Sequence, residues 1–336
     1  MRSLASIVLL AFTLAVPFGC VPKSVTIQLR PDRGQVQQSV VLRDQLGGPK
    51  IAQIDLTGVI TSAPTSAFGS AALLDDMALM FERAETDAGI KAVILRINSP
   101  GGSVAASETL ADMIEDFKAR SGKPVVASMG EVAASGGYYT AITADIIVAQ
   151  PSTITGSIGV IVPTLNVADG LARIGIKSRS VTSGPNKDIA NPLQPINEAH
   201  YTILQGIVDE FYEDFRARVL VARPTIENPD SVLDGSVYTG RRALELGLVD
   251  KLGGIREAFD EAKRLADLDS AVLVKLHRGG PTPMTPYAAV EAPSIPQQDH
   301  NTLSSILGWQ DRIRQTGAND PGFYYLWLPP SSLGIE

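Results

Sequence analysis

From Lys50 onward the chain alternates between short β-branched runs and amphipathic helical ones, and this alternation constrains the fold more than any other feature. IAQIDLTGVI (51–60), KAVILRI (91–97), PVVASM (124–129) and IIVA (146–149) are strand-like segments. Between them, residues 105–120 place Leu110, Met113, Ile114 and Phe117 on one helical face, and a Gly-rich turn leads into a helix near residues 135–144. SRSVTS (178–183) reads as a further strand. A long helix across 197–222 carries Ile203, Ile207, Phe211, Phe215 and Val219 near one stripe. Repeated strand–helix units of this size predict an α/β fold with parallel strands and helices packed outside them.

The ends differ from this body. Arg2 is the only charge before the apolar run at residues 4–19, the pattern of a secretory signal. That run spans about 24 Å as a helix, short of the ~30 Å hydrocarbon core, which favours a cleaved signal over a permanent span. Cys20, behind Gly19, stands where bacterial lipoproteins place their lipid-acceptor cysteine, although Pro17 and Phe18 depart from the usual residues before it. The same run also reads as an uncleaved anchor, or Cys20 as an incidental cysteine. The expected organisation is therefore a signal at 1–20, a polar tether at 21–48 and one domain at 49–278. A Pro-rich linker at 279–298 and a C-terminal tail at 299–336, with the aromatic run Phe323, Tyr324, Tyr325 and Trp327, complete it.

Composition narrows the function. A net charge of −7 without basic runs argues against nucleic-acid partners. One cysteine and three histidines leave little material for a zinc site, and no metal or cofactor is expected.

Four small-residue segments remain to carry chemistry: NSPGGS (98–103), AASGGYY (133–139), TGSIGV (155–160) and SGPNKD (183–188). Ser135 falls at a strand-to-helix turn, where it is either a helix cap or an exposed nucleophile. The glycines at 101–102 and 136–137 are either plain turn residues or sources of backbone N–H groups for a developing oxyanion. Tyr138 and Tyr139 read as packing residues. A serine nucleophile needs a base. His200, His277 and His300 have no compelling position, His200 lying in the long helix away from every Gly-rich turn. Lys187 is the other candidate, provided that a dry environment lowers its pKa. As a sequence feature alone, it is equally an exposed turn residue.

The four segments, in this order and spacing, together with TGRRALELGLVDKLGG (239–254), resemble the serine–lysine signal peptide peptidase family, the SppA type, over residues 50–275. The resemblance implies the Clp-protease/crotonase fold, a superhelix of repeated ββα units with outer helices. It implies Ser135 as nucleophile, Lys187 as general base, Ser157 as the hydroxyl that orients the lysine, and the N–H groups of Gly102 and Gly136 as the oxyanion hole. It further implies a homo-oligomer, an octameric ring with serine and lysine from adjacent subunits. Such an enzyme acts on apolar peptides such as signal peptides at the outer face of the membrane. Two rivals share the motifs: a crotonase-like acyl-CoA enzyme, which export opposes, and a non-catalytic scaffold, which the complete set of polar side chains opposes. The aromatic tail is open to three readings: a subunit-packing patch, a membrane contact, or an occupant of the peptide groove.

Overall fold

The computed structural model describes residues 35–62, 73–279, 281–288 and 323–326. Cys20 and His300 lie outside them, as do the signal run and much of the linker and tail. The strands are β1 (Gln37–Arg43), β2 (Lys50–Thr57), β3 (Ile90–Ser99), β4 (Gly101–Ser103), β5 (Val125–Ala134), β6 (Ile146–Ala149), β7 (Ile154–Gly156), β8 (Val237–Thr239), β9 (Lys251–Leu252), β10 (Val272–His277) and β11 (Tyr324–Leu326). The helices are α1 (Leu73–Thr86), α2 (Val104–Ser121), α3 (Gly136–Ala141), α4 (Ala168–Arg173), α5 (Glu198–Ala222), α6 (Pro229–Val232), α7 (Gly240–Glu245) and α8 (Ile255–Leu265).

The main sheet runs β1-β10-β2-β3-β5-β6-β9, with β7 joined to β5 and β8 to β7. All neighbours from β10 to β9 are parallel; only β1 on β10 and β8 on β7 are antiparallel. A parallel sheet must be covered on both faces, and the strand sequences comply. In β3, Val93, Leu95 and Ile97 point to one face, where Met77 and Phe81 of α1 and Leu110, Ile114 and Phe117 of α2 meet them. Ala92 and Ile94 point to the other face, against Ala258, Phe259 and Ala262 of α8. Helix α2 starts because the Ser103 hydroxyl accepts the Ala106 N–H, and it stops at Gly122, whose φ of 65° suits a left-handed cap.

Three expectations need correction. Residues 178–183 form no strand: this Ser-rich stretch lies in a largely exposed excursion and pairs with no strand. Residues 37–43, inside the stretch read as a tether, form β1. Its few apolar side chains hide the strand in the sequence, while the open edge of β10 supplies its hydrogen-bond partner. The stripe on α5 is buried only at its C-terminal end. Phe215 and Val219 are in the core, whereas Ile203 is exposed.

Candidate active site

Strand β5, the central strand beside β3, ends at Ala134, and α3 begins at Gly136. The reversal between them falls on Ser135, which takes φ 52° and ψ −117°. Such a backbone costs a non-glycine residue roughly 1–3 kcal/mol and persists only where the surroundings over-determine it. Here the surroundings do so. The Ser135 N–H donates to the Gly156 carbonyl at 2.8 Å, and the Ser135 carbonyl accepts the Tyr139 N–H at 2.8 Å. Both tyrosines after the glycines are buried packing residues, as expected; the Tyr138 hydroxyl donates to Leu248 O at 2.8 Å. Ser135 is 1% exposed, yet its Oγ has no hydrogen-bond partner. It does not cap α3. Buried hydroxyls normally have a partner, so an unpaired one at a strained turn calls for an explanation.

The glycines beside it let three backbones converge. Gly101 has φ 102°, and a Cβ there would collide with the Tyr325 carbonyl oxygen and lie 2.7 Å from Gly136 N. A Cβ on Gly136 would lie 3.1 Å from Gly102 N. The start of β4 and the start of α3 thus meet next to Ser135. The backbone N–H groups of Gly102 and Gly136 are neighbours, as a two-donor oxyanion site requires.

Ser157 enters from the adjacent strand. β7 pairs with β5 as Ala134↔Gly156, so Ser157 follows the residue opposite Ala134, directly beside the serine turn. It too has positive φ, 52°, and its N–H donates to Ser236 O at 2.7 Å. The structure therefore brings together Ser135, Ser157, Gly102 and Gly136.

Lys187 is not hydrogen-bonded to Ser135 within the chain. It is exposed, in a turn closed by its own N–H donating to Gly184 O at 3.2 Å. The turn belongs to an excursion, residues 162–197, that is tied mainly to itself through Val167 N to Pro192 O (2.8 Å) and Asn191 Nδ2 to Ser180 Oγ (3.1 Å). His200 corrects another expectation. Far from being remote from the Gly-rich turns, it is buried with Nε2 2.9 Å from the Pro185 carbonyl, holding the turn that carries Lys187. Fifteen residues and a helix start separate the two, and no periodic signal links them. His277 is buried at the end of β10 with Nε2 2.8 Å from Ser39 Oγ, away from this site. Among the described residues no cluster of three metal-ligating side chains occurs, and no helix is long and apolar enough to cross a membrane.

Comparison with known proteins agrees with this geometry. The family model described as peptidase family S49 matches residues 118–269, and the Clp protease model matches residues 72–160, in keeping with a ClpP/crotonase-like fold. A Synechocystis protein named as a protease, slr0021, is 36% identical over 221 residues, 66% of this chain and 76% of the relative. An Enterococcus faecium protein named for a signal peptide peptidase, SppA, is 31% identical over 237 residues, 70% of this chain and 69% of the relative. Protease 4 of Haemophilus influenzae is 34% identical over 221 residues, 65% of this chain but only 35% of the longer relative. The chain belongs to peptidase family S49, a family of serine peptidases.

Proposed function

We propose that this chain is an endopeptidase with a serine–lysine dyad, acting on apolar peptides such as signal peptides outside the cytoplasm. The observation that carries the reading is Ser135: buried, at φ 52°, with an unpaired hydroxyl beside the Gly102 and Gly136 N–H groups. In the mechanism, the neutral Lys187 amine takes the Ser135 proton as Oγ attacks a peptide carbonyl. The two glycine N–H groups hold the oxyanion, each worth on the order of 3 kcal/mol. The lysine ammonium then protonates the leaving amine, and water hydrolyses the acyl ester. Ser157 steadies the amine against rotation of its flexible stem.

A lysine exposed to water stays charged and is no base at neutral pH. Its neutral form requires burial, and among the described residues the Lys187 side chain is exposed. A second copy would supply it. The excursion carrying Lys187 exposes Leu165, Ile174, Ile176, Val181 and Ile196, with Val181 93% and Ile174 71% exposed. Covering that surface by the next subunit of a ring, eight in the resemblance noted above, would dry the amine and deliver it to a neighbour's serine. The N-terminal run would hold the ring at the outer membrane face, with Cys20 as a lipid acceptor. The test is peptide hydrolysis by the full chain across pH. A rising limb with an apparent pKa well below that of free lysine, absent in Lys187→Ala, is expected. A profile unchanged by Lys187→Ala would refute the dyad.

A further inference from the structure

Strands β3 and β5 keep one register from Val93↔Val125 to Ile97↔Met129 and then take another, Ser99↔Ala133. Asn98 alone on β3 therefore faces Gly130, Glu131 and Val132 on β5. Two extra residues make a bulge that adds ~6.6 Å of strand to β5. Across the same bulge β5 changes its other neighbour. It pairs with β6 as far as Met129↔Ala149 and with β7 from Val132↔Ile154.

The bulge sits three residues before Ser135, and its offset brings the site together. Carried forward, the first register would set Gly102 across from Ala134. The second sets Ser135 level with Gly101 and Gly136 level with Gly102, and this is where they stand. A Cβ on Gly101 would lie 2.7 Å from Gly136 N, and one on Gly136 would lie 3.1 Å from Gly102 N. A shift by two residues also leaves every side chain on its own face, so Met129 and Ala133 share one core.

Side chains hold the bulge in this shape. Asn98 Oδ1 accepts the Val132 N–H at 3.1 Å, in place of a main-chain acceptor. Asn98 is itself fixed to β2, where its carbonyl accepts the Gly58 N–H at 3.0 Å. On the other side of β5, Thr153 Oγ1 donates to Gly130 O at 2.7 Å and accepts the Gln150 N–H at 3.0 Å. Thr155 Oγ1 donates to Ala133 O at 2.7 Å. Both threonines are buried. Gly130 leaves room for this, since a Cβ there would lie 3.2 Å from Ile97 O and 3.3 Å from Asn98 Cβ. Main-chain groups that a bulge removes from the ladder are costly to bury unpaired, so these side chains select one bulge geometry.

We infer that Asn98, with Thr153 across the bulge from it, is a positioning residue for the serine turn. The inference rests on Ser135 being the nucleophile. Each side chain acts through the main chain of β5. Together they fix where Ala134 ends the strand, and so the aim of Ser135 Oγ and the alignment of the Gly136 N–H with that of Gly102.

Two rates test this, both taken per folded molecule. One is labelling of Ser135 by a small alkyl fluorophosphonate, which needs the serine and its oxyanion donors but no peptide recognition. The other is hydrolysis of a test peptide, resolved into kcat and KM. Asn98→Leu keeps the size and loses the acceptor; it should lower labelling and kcat by about tenfold or more, with KM within about twofold of wild type. Asn98→Asp restores the oxygen and should recover most of that loss. Thr153→Val should slow both rates by about threefold and Thr153→Ser should recover them, a pair that decides the matter if Asn98→Leu does not fold. Folded Asn98→Leu or Thr153→Val with wild-type rates would overturn the proposal. So would Asn98→Asp as slow as Asn98→Leu, or a rise in KM with labelling unchanged. Labelling that persists in Ser135→Ala, or a wild type neither labelled nor active, overturns the Ser135 reading itself, and this proposal with it.

Discussion

The central sheet and the excursion at residues 162–197 are built on opposite terms. Around β2, β3, β5 and β6, nearly every apolar side chain is sealed between α1, α2 and α3 on one face and α8 on the other. In the excursion, apolar side chains of similar size face water, and hydrogen bonds run mostly within the segment. The serine stands on the first region and the lysine on the second. A nucleophile needs fixed geometry, which a close-packed sheet provides. A lysine acting as the proposed base needs removal from water, which the described residues do not give it and a second copy would. If the proposed dyad holds, folding and activation are separate events, and four experiments can break or sharpen the contrast.

The strongest is complementation. Ser135→Ala and Lys187→Ala should each lower kcat/KM by at least about 10³-fold. Mixed subunits of the two dead variants should regain activity if serine and lysine come from different chains, while a mixture that stays dead would place both in one. Second, Phe117→Ala should lower unfolding free energy by about 3–5 kcal/mol, measured by denaturant titration. Phe117 is fully buried with its ring 5.2 Å from Phe81. Third, Val181→Asp or Ile174→Asp should cost the fold less than about 0.5 kcal/mol, because both residues are exposed. The same changes should shift the assembly toward monomers in light scattering and cut activity about tenfold.

The smallest effect belongs to the body's edge. The Asp87 carboxylate accepts from the Gln38 amide at 2.7 Å, the Gly89 N–H at 2.8 Å and Lys50 Nζ at 3.2 Å. These bonds, the Gln38 one foremost, hold its pKa at about 2 against a reference of 3.8. A folded pKa below the unfolded one stabilises above the unfolded value and ceases to as pH falls through the folded one. Asp87→Asn should thus be less stable than wild type by about 1 kcal/mol at neutral pH, with the gap closing between pH 4 and pH 2.

The sequence made the body legible because buried strands and helices advertise themselves through periodicity: the helix expected at 105–120 spans Val104–Ser121, and that at 197–222 spans Glu198–Ala222. It concealed what depends on partners distant along the chain. β1 carries too few apolar residues to announce itself and exists because β10 has an open edge. Val181 sits in a run with strand propensity that has no strand to pair with. In the site, Ser135 was visible as a serine among small residues at a turn, and its strained backbone follows from the Gly156 and Tyr139 bonds that only the fold reveals. The grip of His200 on Pro185 and the register of Tyr325 on Gly102 are contacts between segments that carry no shared pattern.

The left-handed turn at Ser135 has one more consequence. Glycine tolerates that backbone without penalty, so evolution toward heat resistance alone would favour replacing the serine there. A collection of toughened variants would then be enriched in proteins that fold better than the parent and, on the proposed mechanism, cleave nothing.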